Sequence, residues 1–301
     1  MASGTVLITG IAGFTGFHLA AELREAGYRV AGTVAPGNAS RAPGLHTCDL
    51  TDPAAVRAVV AEVRPDRVVH LAAISSVAHQ DNEAFYRVNV LGTMHLLEAL
   101  GAEGIAPSKV LLASSAQVYG SAARDVVDES ICPRPVNHYA ASKLAMEHMA
   151  ATWFDRLPIV IARPFNYTGV GQTDSFLIPK IVDHFAKRKA RIELGNTFVE
   201  REFNDVRAVC RIYRLLLESD ARGESVNVCS GTGHALMSII DALEKIAKRS
   251  IMVDVNPAFV RPNELQRLIG SKAKLEAAIG PIVFPEIEQT LTLMYESALG
   301  Q

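Results

Sequence analysis

Val6-Leu7-Ile8-Thr9-Gly10-Ile11-Ala12-Gly13-Phe14-Thr15-Gly16 joins a short apolar run to a stretch with helical spacing, and its glycines recur at every third residue. A glycine triplet that leaves a strand and opens a helix serves close approach. Gly10 makes the turn, Gly13 lets a pyrophosphate near the backbone, and Gly16 lets helix and strand touch. The N-terminus of the following helix offers free N–H groups and partial positive charge to phosphates. This predicts a dinucleotide-binding βα turn, with Gly10, Ala12, Gly13, Phe14, Thr15 and Gly16 lining it.

The same rhythm continues outward. A helix is expected over about 15–26, ended by Gly27, and a second strand over Tyr28 to Val34. Asp52 before Pro53 reads as a helix N-cap with proline at the first helical position. Further strands are expected at Arg67 to Leu71, Lys109 to Ala113 and Ile159 to Ala162, with a long helix over about 83–100. Strand and helix alternating in this way predict an α/β fold, a Rossmann-like doubly wound parallel sheet covered on both faces. After Pro164 the pieces shorten, with two clearer helices near 236–248 and 286–299. The expected division is a nucleotide-binding domain over 1–163 and a smaller, interleaved α/β substrate lobe over 164–301. The segment over about 205–230, a helix followed by a strand at 225–229, is expected to return to the sheet.

Composition bounds the function classes. The chain has 301 residues, and 30 Lys+Arg against 32 Asp+Glu leave a net charge of −2. That balance gives no basic footprint for nucleic acid and no polybasic membrane signal. No apolar run approaches the ~18 residues of a transmembrane helix. The first residues lack the cationic start of a secretory signal. Cys48, Cys132, Cys210 and Cys229 are far apart and have no metal spacing, so reduced thiols in a cytoplasmic protein are expected.

Cofactor choice is read after the second strand. An acid there would accept from a ribose 2′-OH, but the chain reads Val30-Ala31-Gly32-Thr33-Val34-Ala35-Pro36. Losing that acid removes repulsion against a 2′-phosphate, and Arg41 offers charge a few residues on. NADP(H) is therefore favoured over NAD(H). Asp49, before Leu50, is placed to accept from an adenine amino group.

Tyr139-Ala140-Ala141-Ser142-Lys143 puts Tyr139 and Lys143 four residues apart, on one face of a helix. A free phenol titrates near 10, and a lysine ammonium one turn away would favour its ionised form. Ser115 follows the fourth strand at its carboxyl end, where sheets of this type place ligands. Together the three residues are the expected catalytic set.

With these residues in place the chain resembles the extended short-chain dehydrogenase/reductases that act on nucleotide sugars, over nearly its whole length. The resemblance is carried by Thr9-Gly10-x-x-Gly13-x-x-Gly16, His70-Leu71-Ala72-Ala73 and Asn89-Val90-Leu91-Gly92-Thr93. It is carried equally by Ser114-Ser115-Ala116-Gln117-Val118-Tyr119-Gly120, Tyr139-x-x-x-Lys143 and Arg163-Pro164-Phe165-Asn166. It implies Lys143 on the nicotinamide ribose, and Leu71, Ala72, Ala73, Asn89 and Pro164 beside the cofactor. Ser75, Ala116, Gln117 and Asn166 are implied near the sugar diphosphate. A homodimer through helices matching 83–100 and 139–154 is also implied.

Within that family, Asp174 to Ile181, Arg201 to Val206 and Arg261 to Gly270 resemble the branch that handles GDP-mannose derivatives. Lys180, Arg201 and Arg261 can neutralise a diphosphate, the arginines bidentately. Glu264 can accept from a guanine edge or a ribose. Dehydratases of that branch resemble one another in carrying acids after the serine, because dehydration needs an extra acid and base. Ala116 and Gln117 exchange no proton, and no cysteine adjoins Ser115 to serve epimerisation. The expected reaction is hydride transfer to the C4 ketone of GDP-4-keto-6-deoxy-D-mannose, giving GDP-D-rhamnose or its C4 epimer GDP-6-deoxy-D-talose. Three readings stay open beside it: a 4-epimerase retaining NAD, a 4,6-dehydratase, and a non-enzymatic protein that senses cofactor.

Overall fold

The computed structural model describes residues 4–37, 43–75, 79–102, 104–120, 126–260 and 267–300. β1 (Thr5–Thr9) leads into α1 (Phe14–Glu25), then β2 (Arg29–Val34) and β3 (Leu45–Thr47). α2 (Pro53–Val63) starts as expected: Asp52 accepts from the Ala54 N–H and Pro53 takes the first turn. β4 (Arg67–His70) is followed by α3 (Asn82–Tyr86), a π turn (Arg87–Leu91) and α4 (Gly92–Ala102). The single long helix expected over 83–100 is thus broken in the middle. β5 (Lys109–Ala113), β6 (Val126–Val127), α5 (His138–Ala151) and β7 (Ile159–Pro164) complete the first half.

The second half runs β8 (Tyr167–Thr168), α6 (Leu177–Ala186), β9 (Arg191–Leu194), β10 (Glu200–Arg201) and β11 (Asn204–Asp205). α7 (Val206–Glu218), β12 (Glu224–Val228), β13 (His234–Ala235), α8 (Leu236–Ala247) and β14 (Met252–Val255) follow. β15 (Arg267–Gly270), α9 (Ala273–Ile279) and α10 (Ile287–Leu299) end the chain. Pro179 lies within the first turn of α6, where no intrahelical N–H is needed.

Seven strands form one parallel sheet in the order β12-β7-β5-β4-β1-β2-β3. Strand periodicity sorts its faces. Val6 and Ile8 pack with Leu19 and Leu23 of α1, Val209 and Leu216 of α7, and Leu275 of α9. Leu7 faces the opposite layer, with Val56 and Val60 of α2, Leu96 and Leu100 of α4, and Met146 of α5. The strand order reverses between β1 and β4, so the crevice outside their carboxyl ends is the topological switch point. The chain leaves the sheet at Pro164, passes through the lobe, and returns at Glu224, where β12 pairs with β7. β3 was not expected: three residues on an edge carry too little pattern to show.

The remaining elements build a smaller core. Ile181 and Phe185 of α6, Ile239 and Leu243 of α8, and Leu291 of α10 pack together there. Its strands form one four-stranded sheet, β13-β10-β15-β6, and two pairs, β11-β8 and β14-β9. Among the described residues no helix is long and apolar enough to cross a membrane.

Candidate active site

The glycine turn sits at the switch point. Gly10 adopts φ +73°, and a Cβ there would lie 2.9 Å from Ala72 Cα on the loop after β4. A Cβ on Gly16 would lie 2.4 Å from the Gly10 carbonyl oxygen and 2.7 Å from Ile11 Cα. Gly13 differs, since a Cβ there would meet only the Gly10 oxygen, at 3.2 Å. Gly13 caps α1 in an extended conformation with no side chain on the first-turn N–H groups. Those N–H groups and the open face of Gly13 fit a pyrophosphate. Ala12 is exposed beside them. Tyr167, which the sequence did not single out, braces the turn. Its ring stacks on Phe14 at 6.1 Å and its hydroxyl lies 2.7 Å from Thr15 Oγ1.

Below the turn runs a buried chain of hydrogen bonds. The Ala72 N–H donates to Thr9 Oγ1 (3.2 Å), which lies 2.7 Å from His70 Nδ1. His70 Nε2 lies 2.9 Å from Thr93 Oγ1, and the Thr93 hydroxyl donates to the Asn89 carbonyl (2.7 Å). Thr93 has spent its proton, so Nε2 must be the donating nitrogen and Nδ1 must accept from Thr9. Burial, then the Lys143 charge, pushes the His70 imidazole down to about 3, so it is neutral. The π turn delivers Asn89 to this layer. Asn89 Oδ1 accepts from the Ile74 N–H (2.9 Å), and its Nδ2 donates to the Ile74 carbonyl (3.2 Å) and to Ser142 Oγ (3.0 Å). Both amide protons are engaged, so Asn89 fixes the 72–74 loop. Leu71 and Ala73 are half-buried on that loop and Ser75 is exposed at its end.

Ser115 lies just past the carboxyl end of β5 and caps a 3₁₀ turn (Ala116–Tyr119), accepting from the Gln117 N–H at 3.2 Å. α5 begins at Asn137, whose side chain accepts from the Ala140 N–H, and this presents Tyr139 and Lys143 inward. The Ser115 hydroxyl lies beside the Tyr139 phenol, and Lys143 Nζ donates to the Ala113 carbonyl at 2.8 Å. All three side chains are buried. Burial raises the Tyr139 phenol above 10, partly offset by Ser115. Burial lowers the Lys143 ammonium to about 8, opposed by Glu147. The expected depression of Tyr139 by Lys143 is not found: desolvation dominates, opposed only by the Ser115 hydroxyl, and the phenol stays protonated at neutral pH. Ala116 is buried and Gln117 Oε1 accepts from Asn137 Nδ2 at 3.3 Å.

A second set of residues has no role assigned from the sequence, although Ser114, Tyr119 and Arg163 stand in its motifs. Glu147 lies one further turn along the Tyr139–Lys143 face. Arg163 of β7 donates to it through Nε (3.0 Å) and Nη2 (2.6 Å), and the Ser114 hydroxyl donates to it as well. Arg163 Nη1 donates to the Tyr119 hydroxyl (3.0 Å), which donates to Asn227 Oδ1 of β12 (2.7 Å). The i, i+4, i+8 spacing on an otherwise apolar face was the available signal.

The lobe residues are more dispersed. Pro164 is buried at the end of β7, and the Asn166 carbonyl accepts from the Asn204 N–H at 2.9 Å. Lys180 Nζ donates to the Glu193 carbonyl (2.8 Å) and lies 4.7 Å from the centre of the Phe259 ring. Arg201 is half-buried on β10 and donates to the Glu200 carbonyl at 2.8 Å. Asp49 is exposed after β3, with Oδ1 accepting from the Thr51 N–H and hydroxyl, while Leu50 is buried against α4. Arg41, Arg261 and Glu264 lie outside the described residues.

With this geometry in hand, comparison with known proteins is direct. Residues 7–289 match the family described as GDP-mannose 4,6 dehydratase. The chain belongs to that family. A GDP-6-deoxy-D-talose 4-dehydrogenase from Aggregatibacter actinomycetemcomitans is 35% identical over 98% of each chain. A GDP-6-deoxy-D-mannose reductase from Pseudomonas aeruginosa is 35% identical over 91% of this chain and 90% of its own. A solved chain from Burkholderia cenocepacia J2315 is 46% identical with TM-score 0.93, covering 99% of this chain and 98% of its own, and supports the fold. The structure of RMD from P. aeruginosa complexed with NADPH is 33% identical with TM-score 0.86, over 99% of this chain and 100% of its own. A UDP-glucose 4-epimerase from Thermus thermophilus, solved with NAD, is 28% identical with TM-score 0.86, over 98% of this chain and 99% of its own. The protein is an NAD(P)-dependent oxidoreductase of the extended short-chain dehydrogenase/reductase type, with a Rossmann-like α/β fold.

Proposed function

We propose that the protein reduces the C4 ketone of GDP-4-keto-6-deoxy-D-mannose, with NADP(H) preferred over NAD(H). The observation that carries this reading is the buried Ser115–Tyr139–Lys143 group with no protonable side chain at Ala116 or Gln117. When bound on the α1 N-terminus, a nicotinamide dinucleotide supplies hydride chemistry. The residues of the chain supply the rest. Tyr139, a buried phenol that is protonated at neutral pH, gives its proton to the oxygen that becomes the C4 hydroxyl. Ser115 holds that oxygen by hydrogen bonding, and Lys143 stabilises the tyrosinate left behind. Arg201, with Lys180, Arg261 and Glu264, anchors the nucleotide so that the ring is held in one orientation, an effect that lowers barriers by several kcal/mol.

Preference for NADP(H) is supported by the end of β2, where Ala35, Pro36 and Gly37 are exposed and carry no carboxylate to repel a 2′-phosphate. A cytoplasmic homodimer belongs to the same reading. Tyr86 and Leu91, on the helical segment beside α5, are exposed apolar residues that a partner would cover. The same reading divides the labour between a cofactor domain over 1–163, with 205–230 returned to it, and a nucleotide-sugar lobe over the rest of 164–301; β6, which pairs with β15, and α9, whose Leu275 packs in the sheet core, cross that division.

The two curated relatives name C4 epimers at equal identity, so both product configurations are carried forward. Incubation with GDP-4-keto-6-deoxymannose and each reduced nicotinamide, followed by proton NMR, tests the reading. Stoichiometric loss of NADPH is expected. A large H3–H4 coupling would assign GDP-D-rhamnose and a small one GDP-6-deoxy-D-talose. Turnover without added cofactor would instead indicate a 4-epimerase, and conversion of GDP-mannose itself a dehydratase. Cofactor binding with no turnover of any nucleotide sugar would leave a sensor.

A further inference from the structure

Glu147 is a buried carboxylate that the proposed chemistry does not use. It lies one turn beyond Lys143 on α5 and joins that helix to two strands at once. Ser114, the residue before Ser115, donates its hydroxyl to Oε1, and Arg163 of β7 closes on both oxygens. Arg163 continues through the Tyr119 hydroxyl, on the turn that carries residues 115–120, to Asn227 of β12. The Glu147–Arg163 pair is almost fully buried, with 6% and 8% of the two side chains exposed. A buried pair of this kind seldom adds stability over an apolar pair of the same shape, and breaking it leaves an uncompensated charge. Its placement therefore needs an account other than stability.

We infer that Glu147 is a positioning residue of the active site. Gripping Ser114 and Arg163, it fixes α5 against β5 so that Ser115 meets Tyr139, and its charge keeps the Lys143 ammonium protonated. Lys143 needs that support because burial has already brought it down to about 8. The other groups around it leave Glu147 as the nearby anion. His70, on β4, is neutral, and Tyr139 and Tyr119 are phenols raised by burial. Arg163 is positive and opposes protonation. On the π turn packed against α5, Arg87 is turned away to Asp81 (3.0 Å) and Glu83 (3.7 Å). On α4, His95 Nδ1 lies 2.9 Å from the Leu50 carbonyl.

The inference rests on Lys143 having the role proposed above, so its test must separate the two. Protein labelled with ¹³C at lysine Cε can be titrated by NMR, with the Lys143 resonance assigned by its loss in Lys143→Arg. Glu147→Gln should lower the Lys143 midpoint by at least ~1 unit, a tenfold change in its proton affinity. Arg163→Gln, which leaves Glu147 uncompensated, should raise it. Opposite shifts from two substitutions in one ion pair cannot arise from loosened packing, which would carry both variants upward toward the solvated value near 10.5. If Glu147→Gln does not fold, Arg163→Gln and the charge-conserving Glu147→Asp carry the test. The aspartate should hold the midpoint within ~0.5 unit of the parent. A Lys143 midpoint that rises in Glu147→Gln, or that ignores the charge in all variants, would overturn the inference. The alkaline limb of the kcat/KM–pH profile is read in parallel. NMR midpoints that move while that limb stays fixed would uphold Glu147 and count instead against the proposed role of Lys143 in turnover.

Discussion

Glu147 in the sheet half and Glu202 in the lobe are both buried, yet they are held differently. Glu147 is met by a guanidinium. Glu202 accepts from the Gly270 N–H (2.7 Å), the Ser230 N–H (2.8 Å) and hydroxyl (3.1 Å), and Asn204 Nδ2 (3.0 Å), all neutral donors. Burial consequently raises the Glu202 carboxyl above 4.5, with those donors pulling the other way. One carboxylate sets a local field beside the reacting groups. The other ties β10–β11, the loop after β12, and β15 into one unit. The carboxyl edge of the sheet is thus built to hold charges, whereas the lobe is built to hold segments. Substitutions on the first should change rate constants, and those on the second should change binding and stability.

Tyr139→Phe tests that division with the largest effect. Removal of one proton donor should lower kcat by about 10²–10⁴-fold. The ring packing is kept and at most one hydroxyl contact, with Ser115, is lost, so unfolding free energy should change by no more than about 1.5 kcal/mol. Steady-state kinetics and chemical denaturation check the two halves of the statement. Intact turnover in Tyr139→Phe would remove the catalytic assignment altogether. Arg201→Ala comes next and should act on the other axis. A charged hydrogen bond of about 1.5–3 kcal/mol to the substrate predicts a KM raised roughly 10–100-fold, with kcat near the parent value. A kcat defect as large as that of Tyr139→Phe would erase the distinction between edge and lobe.

The glycine turn divides further, at smaller magnitude. An alanine at 16 would press on backbone at 2.4 and 2.7 Å, which cannot yield as a side-chain tip can. Destabilisation of about 1–3 kcal/mol is expected, together with weaker cofactor binding. An alanine at 13 meets only one oxygen at 3.2 Å and should leave the melting temperature close to the parent. Its methyl group would stand where the pyrophosphate approaches, so NADPH affinity should fall without loss of stability. Fluorescence titration of NADPH beside thermal melts separates the two variants.

The legibility of these regions follows the same divide. Gly10, Gly13, Gly16, Tyr139 and Lys143 are readable because each function needs a residue type at a fixed local spacing. The β1-to-β5 alternation is readable for the same reason. Glu147, Arg163 and Ser114 meet only after the sheet is assembled, from positions 33 and 16 residues apart in the chain. Tyr167 reaches Thr15 across 152 residues, and Glu202 reaches Gly270 across 68. The i, i+8 spacing from Tyr139 hints that Glu147 faces inward, but nothing local names its partners. The π turn was hidden because Glu83 to Leu100 keeps helical spacing on average. The turn places Asn89 between Ile74 and Ser142, partners that lie 15 and 53 residues away in the chain.

Glu202→Gln gives the smallest effect and the sharpest contrast of sign. A carboxyl raised in the fold binds its proton more tightly there than in the unfolded chain. Between its ordinary value and its raised one, stability therefore falls as pH rises, and above both values the loss is complete. Its near neighbour Asp205 behaves oppositely. Hydrogen bonds from Arg207 and Thr290 outweigh its burial and lower its carboxyl below 3.8. Its contribution is present above that value and is lost as pH falls through the lowered one. The two windows do not overlap, so they can be read separately in a single series of melts. With glutamine at 202, the decline that begins near pH 4.5 on the rising side should flatten, while the acid loss below 3.8 should persist. Glu147→Gln should leave the Glu202 window untouched. If instead it removed that window, the sheet edge and the lobe would share one titration, and their separate roles would have to be abandoned.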